Sequence, residues 1–485
     1  MLDNDRTREL LELCMTKNHN PSISMTIYDN GKYLSFNAGF ADIENKTIAT
    51  ENTLYAIASS TKAFAAEAIC ILAGRGFIDL DAPIISYLPS FALYDIYATT
   101  TLTVRDILCH RSGLPRHDLS GWCSNADSEE IIHRLRYLKP FAPVRYKFHY
   151  QNHMFLLASC LIEKVTGIEW DKFVKTEIMD PIGMNASFDI SDLKNLPNGS
   201  VPYRVELAEG TVVPTNYYHH TSHMGAAGSI NATSSNMAKW IALQLNDGKW
   251  EDKQVIPDML LNECHSPQMV IQRDATQIKL TETDHYSYGL GWFIESFRGR
   301  KLIMHAGGTT GYSAQHFFLP GTGFGASILT NGSETPIQNS LMYSLIDLYF
   351  GYEQIDWFER YKAHYIKSTE EAKTRIDEVR EKAVKGTRPS LPLESYAGVY
   401  NNPGYGEIKI TPIDGALTAT FIGIPFQLEH ICYDAYFFND RHDFAENALS
   451  QFRLDTLGEV VEYQVKLEPD INEMIVFKKD TSDLL

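Results

Sequence analysis

The stretch Ala58-Ser59-Ser60-Thr61-Lys62-Ala63-Phe64 places a serine and a lysine three residues apart at the start of an apolar run. Residues three apart on a helix share one face, so the Lys62 amine can reach the Ser59 oxygen from one turn below. A serine hydroxyl is a weak nucleophile unless a neighbouring base or a positive potential draws on its proton. Lys62 and the helix N-terminus would supply both. The stretch predicts a nucleophilic serine on a buried helix.

Two further triplets follow in the chain. Tyr150 and Asn152 form Y-x-N directly before an apolar helical run, and His305 and Gly307 form H-x-G at the end of a strand-like run. Ordered after Ser59 and Lys62, these triplets predict three patches of sequence that converge on one hydroxyl.

Each triplet occurs elsewhere, and context decides between the copies. Tyr28 and Tyr400 also begin Y-x-N, and His223 also begins H-x-G. Tyr28 lies beside Asn30-Gly31, which is a hairpin turn signal. Tyr400 falls in a separate predicted domain, and His223 precedes a loop. We therefore favour Tyr150 and His305.

With these motifs in this order, the chain resembles the serine β-lactamase-like hydrolases of the class C and S12 peptidase group, which include family VIII esterases and D-amino-acid peptidases. Residues 102–114, LTVRDILCHRSGL, look like the family's T-I-R-x-L-L-x-H-T-S-G-L stretch. Residues 225–230, GAAGSI, look like its later glycine-rich loop. The resemblance covers residues 10–350.

The resemblance implies an acyl-enzyme mechanism without a cofactor. Ser59 attacks a carbonyl, and Lys62 and Tyr150 share the released proton, with Tyr150 as the general base of acylation. Asn152 is expected to hydrogen-bond Lys62 and the acyl amide of the substrate. His305 completes the catalytic set.

The H-x-G strand is expected to supply the remaining contacts. Gly307 would lie in the substrate site, and the backbone N–H groups of Ser59 and Gly308 would form the oxyanion hole. Glycines here let the backbone and the substrate approach closely.

Each catalytic residue also has a plain structural interpretation. Ser59 could be an N-cap, Lys62 a solvated helix lysine and Tyr150 a core aromatic. His305 could be a core histidine that positions its neighbours without reacting. Only the ordered set of motifs favours catalysis over these alternatives.

The third motif bears on the substrate. Penicillin-recognising members have K-T-G where this chain has His305-Ala306-Gly307, and imidazole is mostly neutral at pH 7. The cationic anchor for a substrate carboxylate is thereby weakened. The expected function is a metal-independent serine hydrolase that cleaves small acyl esters or D-amino-acid peptides. A β-lactamase or D,D-carboxypeptidase, an acyltransferase, and an acylated binding or sensor protein without turnover stay open.

Periodicity predicts an α/β fold. Two alternating strands over 22–40, the buried helix from Ser59 and returning strands over 285–332 indicate an antiparallel sheet flanked by helices, with a helical subdomain inserted between its halves. Residues 1–365 are predicted to form this hydrolase domain and 366–392 a charged helical linker. Short strands over 393–485 indicate an all-β barrel that resembles a lipocalin-like domain.

Composition limits the partners. The 485 residues carry a formal net charge of -18, which disfavours nucleic acid and anionic membranes. We expect a small-molecule or short-peptide substrate, and the oligomeric state is open, with a homo-oligomer among the options. The first residues lack the pattern of a signal peptide, so a cytoplasmic location is expected. Seven cysteines without a C-x-x-C pair favour reduced thiols. His219, His220 and His223 lack metal-site spacing, so no metal is expected.

Overall fold

The computed structural model describes residues 3–122, 126–216, 224–333, 335–439 and 447–481. The helices, numbered in chain order, are α1 Asn4–Asn18, α2 Thr61–Gly74, α3 Ile96–Thr101, α4 Val104–Leu108, α5 Ser128–Arg134, α6 His153–Thr166, α7 Trp170–Val174, α8 Gly225–Gly228, α9 Ser234–Leu245, α10 Asp258–Cys264, α11 Ala275–Thr281, α12 Ile337–Phe350 and α13 Trp357–Lys382.

The strands are numbered in the same way. They are β1 Ser22–Asp29, β2 Lys32–Asp42, β3 Thr47–Ile48, β4 Tyr55–Ala56, β5 Tyr203–Glu206, β6 Thr211–Pro214, β7 Asn231–Ala232, β8 Lys249–Trp250, β9 Lys253–Gln254, β10 Met269–Val270, β11 Tyr286–Tyr288, β12 Phe293–Phe297, β13 Arg300–Thr309, β14 Tyr312–Leu319, β15 Phe324–Thr330, β16 Gly332–Ser333, β17 Gly398–Asn402, β18 Gly406–Ile413, β19 Ala416–Phe421, β20 Ile424–Cys432, β21 Ala435–Asn439, β22 Ala448–Leu454, β23 Val460–Val465 and β24 Ile475–Lys479.

A nine-stranded antiparallel sheet forms the centre of the first part of the chain, in the order β10-β11-β12-β13-β14-β15-β1-β2-β3. Strand β1 pairs with β2 across the Asn30-Gly31 turn and with β15 on its other side. Both turn residues have positive φ, 48° and 88°, as a two-residue hairpin loop requires. The sheet is thus assembled from both ends of the domain around an inserted helical region, which confirms the predicted fold class.

Strand β1 is buried on both faces, and its two faces differ in chemistry. Ile23, Met25 and Ile27 belong to the apolar core that includes α1, α12 and the start of α13. The alternate hydroxyls face α9, where Ser24 and Thr26 lie 2.8 and 2.9 Å from the Ser234 hydroxyl. Satisfied hydroxyls on this face let a strand pack against a helix without unpaired buried polar groups.

Helix α2 is buried almost throughout, from Thr61 to Leu72, as its apolar sequence predicts. It lies in the larger core, together with α6, α8 and α10. A helix surrounded in this way holds its first turn rigidly, and that turn follows Ser59 directly.

The C-terminal strands β17–β24 close into an eight-stranded barrel. Strand β17 pairs with β24 to complete the ring. Aromatic side chains fill its core, including Tyr400, Phe426, Phe438 and Phe452. The interior is therefore packed by the barrel's own side chains.

Helix α13 runs without a break from Trp357 to Lys382, across the predicted boundary at residue 365. Its first turns are anchored by buried Trp357, Phe358 and Tyr361, while its later turns are polar. The division into domains at 365 and 392 stays a prediction. Among the described residues, no helix combines the length and the apolar character that a membrane span needs.

Candidate active site

Ser59 lies in a single 3₁₀ turn, Ala58–Ser60, that precedes α2. Ala58 has a φ of 44°, in the left-handed region that alanine rarely adopts. Backbone strain of this kind persists only where the surroundings enforce it. Here the N–H of Ile57 is fixed to the carbonyl of Ile230 at 2.9 Å. The turn leaves the Ser59 side chain half-buried at the floor of a cavity.

Lys62 begins the first turn of α2 and is fully buried. Its Nζ lies 3.1 Å from Ser59 Oγ and donates a hydrogen bond to the carbonyl oxygen of Ala227 at 2.6 Å. Burial holds the pKa of Lys62 well below its usual value, Arg116 lowers it further, and Asp118 opposes the shift. Burial therefore favours the neutral form of this amine, which lies between the Ala227 carbonyl and the Ser59 hydroxyl.

Tyr150 lies three residues before α6, with its ring 4.8 Å from Lys62 Nζ. Burial raises the pKa of its phenol, although the Ser59 hydroxyl and Arg116 act in the opposite direction. The Ser59 hydroxyl is near enough to lower the pKa of the phenol, but no described residue is in full hydrogen-bond geometry with the Tyr150 hydroxyl. The phenol is therefore protonated at neutral pH and available as a donor.

Asn152 occupies the position before α6 and is 6% exposed. Its Nδ2 donates to Asp118 Oδ1 at 2.8 Å. Its Oδ1 has no partner among the described residues, so the expected hydrogen bond with Lys62 is not formed. A carboxylate can only accept hydrogen bonds, so Asp118 binds the NH2 group of the Asn152 side chain. This contact fixes the orientation of the Asn152 amide.

His305 is placed differently from the other predicted catalytic residues. It lies inside β13, which continues through the whole H-x-G triplet to Thr309. Its Nε2 lies 2.9 Å from the Tyr288 hydroxyl and its Nδ1 2.6 Å from the Ala306 carbonyl. Burial and nearby Lys62 lower the pKa of His305 to about 3. This neutral ring is bound to β11 and is absent from the described lining of the cavity, which fits a positioning role.

Gly307 brings β13 against the turn that carries Ser59. A Cβ at this position would lie 1.9 Å from the carbonyl oxygen of Ile57, a distance that no side chain tolerates. The Ser60 hydroxyl also donates to the His305 carbonyl at 3.2 Å. The close approach of strand and turn therefore depends on glycine at 307.

Gly308 is the next residue, and it lines the cavity. Thr309 and Tyr312 close the β13–β14 hairpin as a pair, and such a closing pair exchanges both hydrogen bonds. By alternation, Gly308 and Ser313 form a pair without mutual hydrogen bonds. The Gly308 N–H thus points away from β14, towards the β12 side of β13. The pairing of β12 with β13 stops at Phe293–Met304, so β12 does not reach this N–H.

The cavity has a volume of about 640 Å³. Its lining combines Ser59 and Asn152 with hydroxyl and amide side chains from β14 to α12. The described lining residues are Ala58, Ser59, Arg116, Asp118, Leu119, Trp122, Asn152, Gly308, Thr309, Thr310, Tyr312, Ser313, Ser333, Thr335, Gln338, Tyr365, Leu467, Glu468 and Pro469.

The barrel supplies one wall of this cavity, through the loop Leu467–Pro469 between β23 and β24. Glu468 is buried, and its carboxylate accepts the N–H of His117 at 2.6 Å and that of Asp470 at 3.1 Å. The His117 ring donates from Nε2 to the Lys139 carbonyl at 3.0 Å and accepts the Tyr405 hydroxyl at Nδ1 at 2.6 Å. The barrel thus meets the first part of the chain at the segment that carries Arg116 and Asp118.

Sequence reasoning missed three charged residues of the site. Arg116 and Asp118 directly follow the segment 102–114 that carried part of the resemblance, so two charges beside a known motif were an unused signal. Glu468 lies in the barrel, and nothing local in the sequence links it to Ser59. The three histidines His219, His220 and His223 lie outside the described residues.

Comparisons with known proteins agree with this architecture. A family model described as Beta-lactamase matches residues 7–347. A second, described as Domain of unknown function (DUF3471), matches residues 382–479. Unguisins hydrolase ungD of Aspergillus violaceofuscus is 26% identical over 456 residues, which covers 86% of this chain and 78% of the relative.

Two solved structures share the fold. The octameric penicillin-binding protein homologue from Pyrococcus abyssi has a TM-score of 0.65 at 19% identity, over 98% of this chain and 100% of that chain. D-amino acid amidase from Ochrobactrum anthropi SV3 has a TM-score of 0.60 at 21% identity, over 72% of this chain and 99% of that chain. Since the first family model spans well over half of the sequence, the chain belongs to the Beta-lactamase family.

Proposed function

We propose that the protein is a serine hydrolase that cleaves ester or amide bonds through an acyl-enzyme on Ser59. The observation that carries the proposal is the 3.1 Å separation of Lys62 Nζ from Ser59 Oγ at the floor of a cavity of about 640 Å³. A cavity of this size suits a small molecule or a short peptide. The similarity to a D-amino acid amidase and to an unguisins hydrolase supports hydrolysis.

In acylation, Ser59 Oγ attacks the substrate carbonyl as its proton passes to the neutral Lys62 amine. Burial lowers the pKa of that amine and so favours its neutral form, and one N–H donated to Ala227 leaves the lone pair for the Ser59 proton. This assigns the base of acylation to Lys62, where the family resemblance had favoured Tyr150. The protonated phenol of Tyr150 then suits donation of a proton to the leaving group, which Lys62 replenishes.

The tetrahedral oxyanion would be held by the backbone N–H groups of Ser59 and Gly308. The orientation of the Gly308 N–H away from β14 supports this role. Loss of one such donor in comparable sites lowers turnover by about 100- to 1,000-fold. In deacylation, water attacks the ester, with its proton taken by Lys62, and Ser59 leaves as the restored hydroxyl.

The absence of a lysine in the third motif ranks ester and amide hydrolysis above β-lactam or D,D-carboxypeptidase activity. Thr309 and Thr310 line the cavity next to Gly308 and supply hydroxyls without a positive charge. An acyltransferase and a non-turning-over acylated sensor would use the same residues. Homology of fold with an octameric protein also supports a homo-oligomer, which light scattering would measure.

The test is intact-protein mass spectrometry with a fluorophosphonate, together with turnover of p-nitrophenyl esters, D- and L-aminoacyl anilides and nitrocefin. We expect one stoichiometric adduct on Ser59, steady turnover of esters or anilides, and loss of both in Ser59→Ala. A persistent adduct without a steady rate would favour the sensor, and diversion of product by added alcohols would favour the transferase. Turnover unchanged in Ser59→Ala would refute the proposal.

A further inference from the structure

We propose that Arg116 binds a neutral carbonyl oxygen on the acyl half of the substrate, with Asp118 as the residue that positions it. This inference rests on the proposed function and on the expectation from the sequence that Asn152 contacts the acyl side of the substrate. It gives a role to the cation that lines the cavity in the described part of the chain and that the mechanism above leaves unused.

The guanidinium is held from one end only. Arg116 Nε donates to Asp118 Oδ2 at 2.7 Å, and the guanidinium carbon lies 5.2 Å from the centre of the Tyr150 ring. Its two terminal nitrogens have no hydrogen-bond partner among the described residues. The side chain is 46% exposed, towards the cavity that it lines. Its free donors therefore face the space that the substrate would fill.

Asp118 connects this guanidinium to the acyl side of the site. Its Oδ2 accepts from Arg116, while its Oδ1 accepts from Asn152 Nδ2 at 2.8 Å. Because one carboxylate holds both groups, Arg116 and Asn152 share a subsite and keep a fixed separation. A substrate oxygen a few bonds from the scissile carbonyl on the acyl side would meet the terminal N–H groups of Arg116.

The charges around Arg116 favour a neutral acceptor over a carboxylate. The charged lining groups in the described part of the chain are one guanidinium and two carboxylates, Asp118 and Glu468. Arg116 is already paired with Asp118, so a second anion would meet a site with net negative charge. A carbonyl oxygen accepts the same hydrogen bonds without that repulsion.

The experiment uses three p-nitrophenyl esters of matched length, the pentanoyl, the 4-oxopentanoyl and the succinyl ester. The first two differ by one carbonyl oxygen, and the third replaces the ketone by a carboxylate. We expect the wild type to prefer the 4-oxopentanoyl ester. Arg116→Gln should lower its kcat/KM by about 10- to 100-fold, as loss of a charge-assisted hydrogen bond does. The pentanoyl ester lacks the acceptor oxygen, so the ratio of kcat/KM for the 4-oxopentanoyl ester to kcat/KM for the pentanoyl ester should fall by the same factor.

Two further variants sharpen the comparison. Asp118→Asn keeps the guanidinium but removes its anchor, so it should reduce the preference for the 4-oxopentanoyl ester without abolishing pentanoyl turnover. Arg388→Gln, at an exposed arginine after α13, is the matched control and should change neither ester. Thermal unfolding of each variant checks that it is folded. The ratio of the two esters cancels any change in Lys62 basicity, which affects both alike.

Equal losses on the two neutral esters, or no loss on either, would overturn the inference. An Arg116-dependent preference for the succinyl ester would replace it with a carboxylate anchor. Failure of the proposed function looks different, because the wild type would then show no Ser59-dependent cleavage of the pentanoyl ester.

Discussion

Lys62 is a buried amine, and two side chains of opposite charge act on its basicity. Arg116 lowers the pKa of Lys62 and Asp118 raises it, both after the larger effect of burial. The ion pair between them, 2.7 Å from Arg116 Nε to Asp118 Oδ2, holds these two opposing charges together. The basicity of the Lys62 amine beside Ser59 therefore depends on two residues that make no hydrogen bond to the Ser59 hydroxyl.

We predict that kcat/KM for the pentanoyl ester rises with pH to a plateau, with an acidic limb below the ordinary lysine pKa of 10.5. Protonation of Lys62 removes the base, so activity is lost as pH falls through its pKa. Asp118→Asn should move the limb to lower pH, because the charge that raises the pKa of Lys62 is gone. Arg116→Gln should move it to higher pH. If the acidic limb moved in the same direction in both variants, the assignment of this limb to Lys62 would be wrong.

At the scale of elements, β13 sets the distance between the Gly308 N–H, the proposed oxyanion donor, and the Ser59 hydroxyl, the proposed nucleophile. It is tied to β11 through His305 and Tyr288, and to the Ser59 turn through the carbonyl of His305. Gly307 permits the contact, and Gly308 presents its N–H beyond the end of β12. A change within this strand moves the donor relative to Ser59.

Gly307→Ala should separate β13 from the turn, since its Cβ would overlap the Ile57 carbonyl. We expect kcat/KM to fall by at least about 100-fold, as displacements near 1 Å do in active sites. Gly308→Ala is the matched control for folding, because a Cβ there meets nothing within 4 Å. Its stability should stay within about 1 kcal/mol of the wild type in urea unfolding. If Gly307→Ala and Gly308→Ala changed kcat/KM and stability equally, β13 would not set the distance between Gly308 and Ser59.

Elements with local signals could be predicted from the sequence. The β1–β2 hairpin, the buried helix α2 and the apolar helix α6 after Asn152 follow from periodicity and turn residues, and the structure has all three. The separate turn at Ser59 could not be foreseen, because the positive φ of Ala58 is imposed by contacts such as that of Ile57 with Ile230. The pairing of Asn152 with Asp118 likewise depends on a loop that passes close to it only in the folded chain.

At the scale of the whole molecule, the barrel is a component of the site. Its loop Leu467–Pro469 walls the cavity, and Glu468 and Tyr405 hold His117, the residue between Arg116 and Asp118. Sequence showed the barrel's strands but not this docking, since a carboxylate about 350 residues away from its partner carries no local signal.

Glu468→Gln should raise KM and lower kcat/KM by about tenfold or more. Both carboxylate oxygens accept backbone N–H groups, so a glutamine amide would set its own N–H against a donor. Glu473→Gln removes another barrel carboxylate, but one in an exposed pair with Lys139, and should change kcat/KM by less than about twofold. Steady-state kinetics on the two variants would decide. A larger effect at Glu473 would refute the role of Glu468.

Buried histidines make the fold sensitive to acid. Burial is the main cause that lowers the pKa of His153 to about 4 and those of His265, His305 and His316 to about 3. The unfolded chain binds these protons below pH 6.5, so stability falls as pH decreases. Each should cost about 2 kcal/mol at pH 5.

We predict a marked drop in the free energy of unfolding between pH 7 and pH 5, measured by urea titration. His316→Gln should reduce this drop by about 2 kcal/mol, since one proton uptake is lost. His133→Gln, at an exposed histidine on α5, should leave it unchanged. If the free energy of unfolding fell equally with pH in His316→Gln and in the wild type, His316 would not be a histidine that stays neutral in the folded protein.

The position of the barrel wall in the chain has a consequence for biosynthesis. The ribosome delivers Ser59, α2 and the whole central sheet long before residues 467–469, and domains fold in the order in which they emerge. A nascent chain would therefore hold the proposed nucleophile Ser59 in an open cleft until β24 pairs with β17. Premature termination within the barrel would release a chain that has Ser59 on its turn but lacks this wall of the cavity.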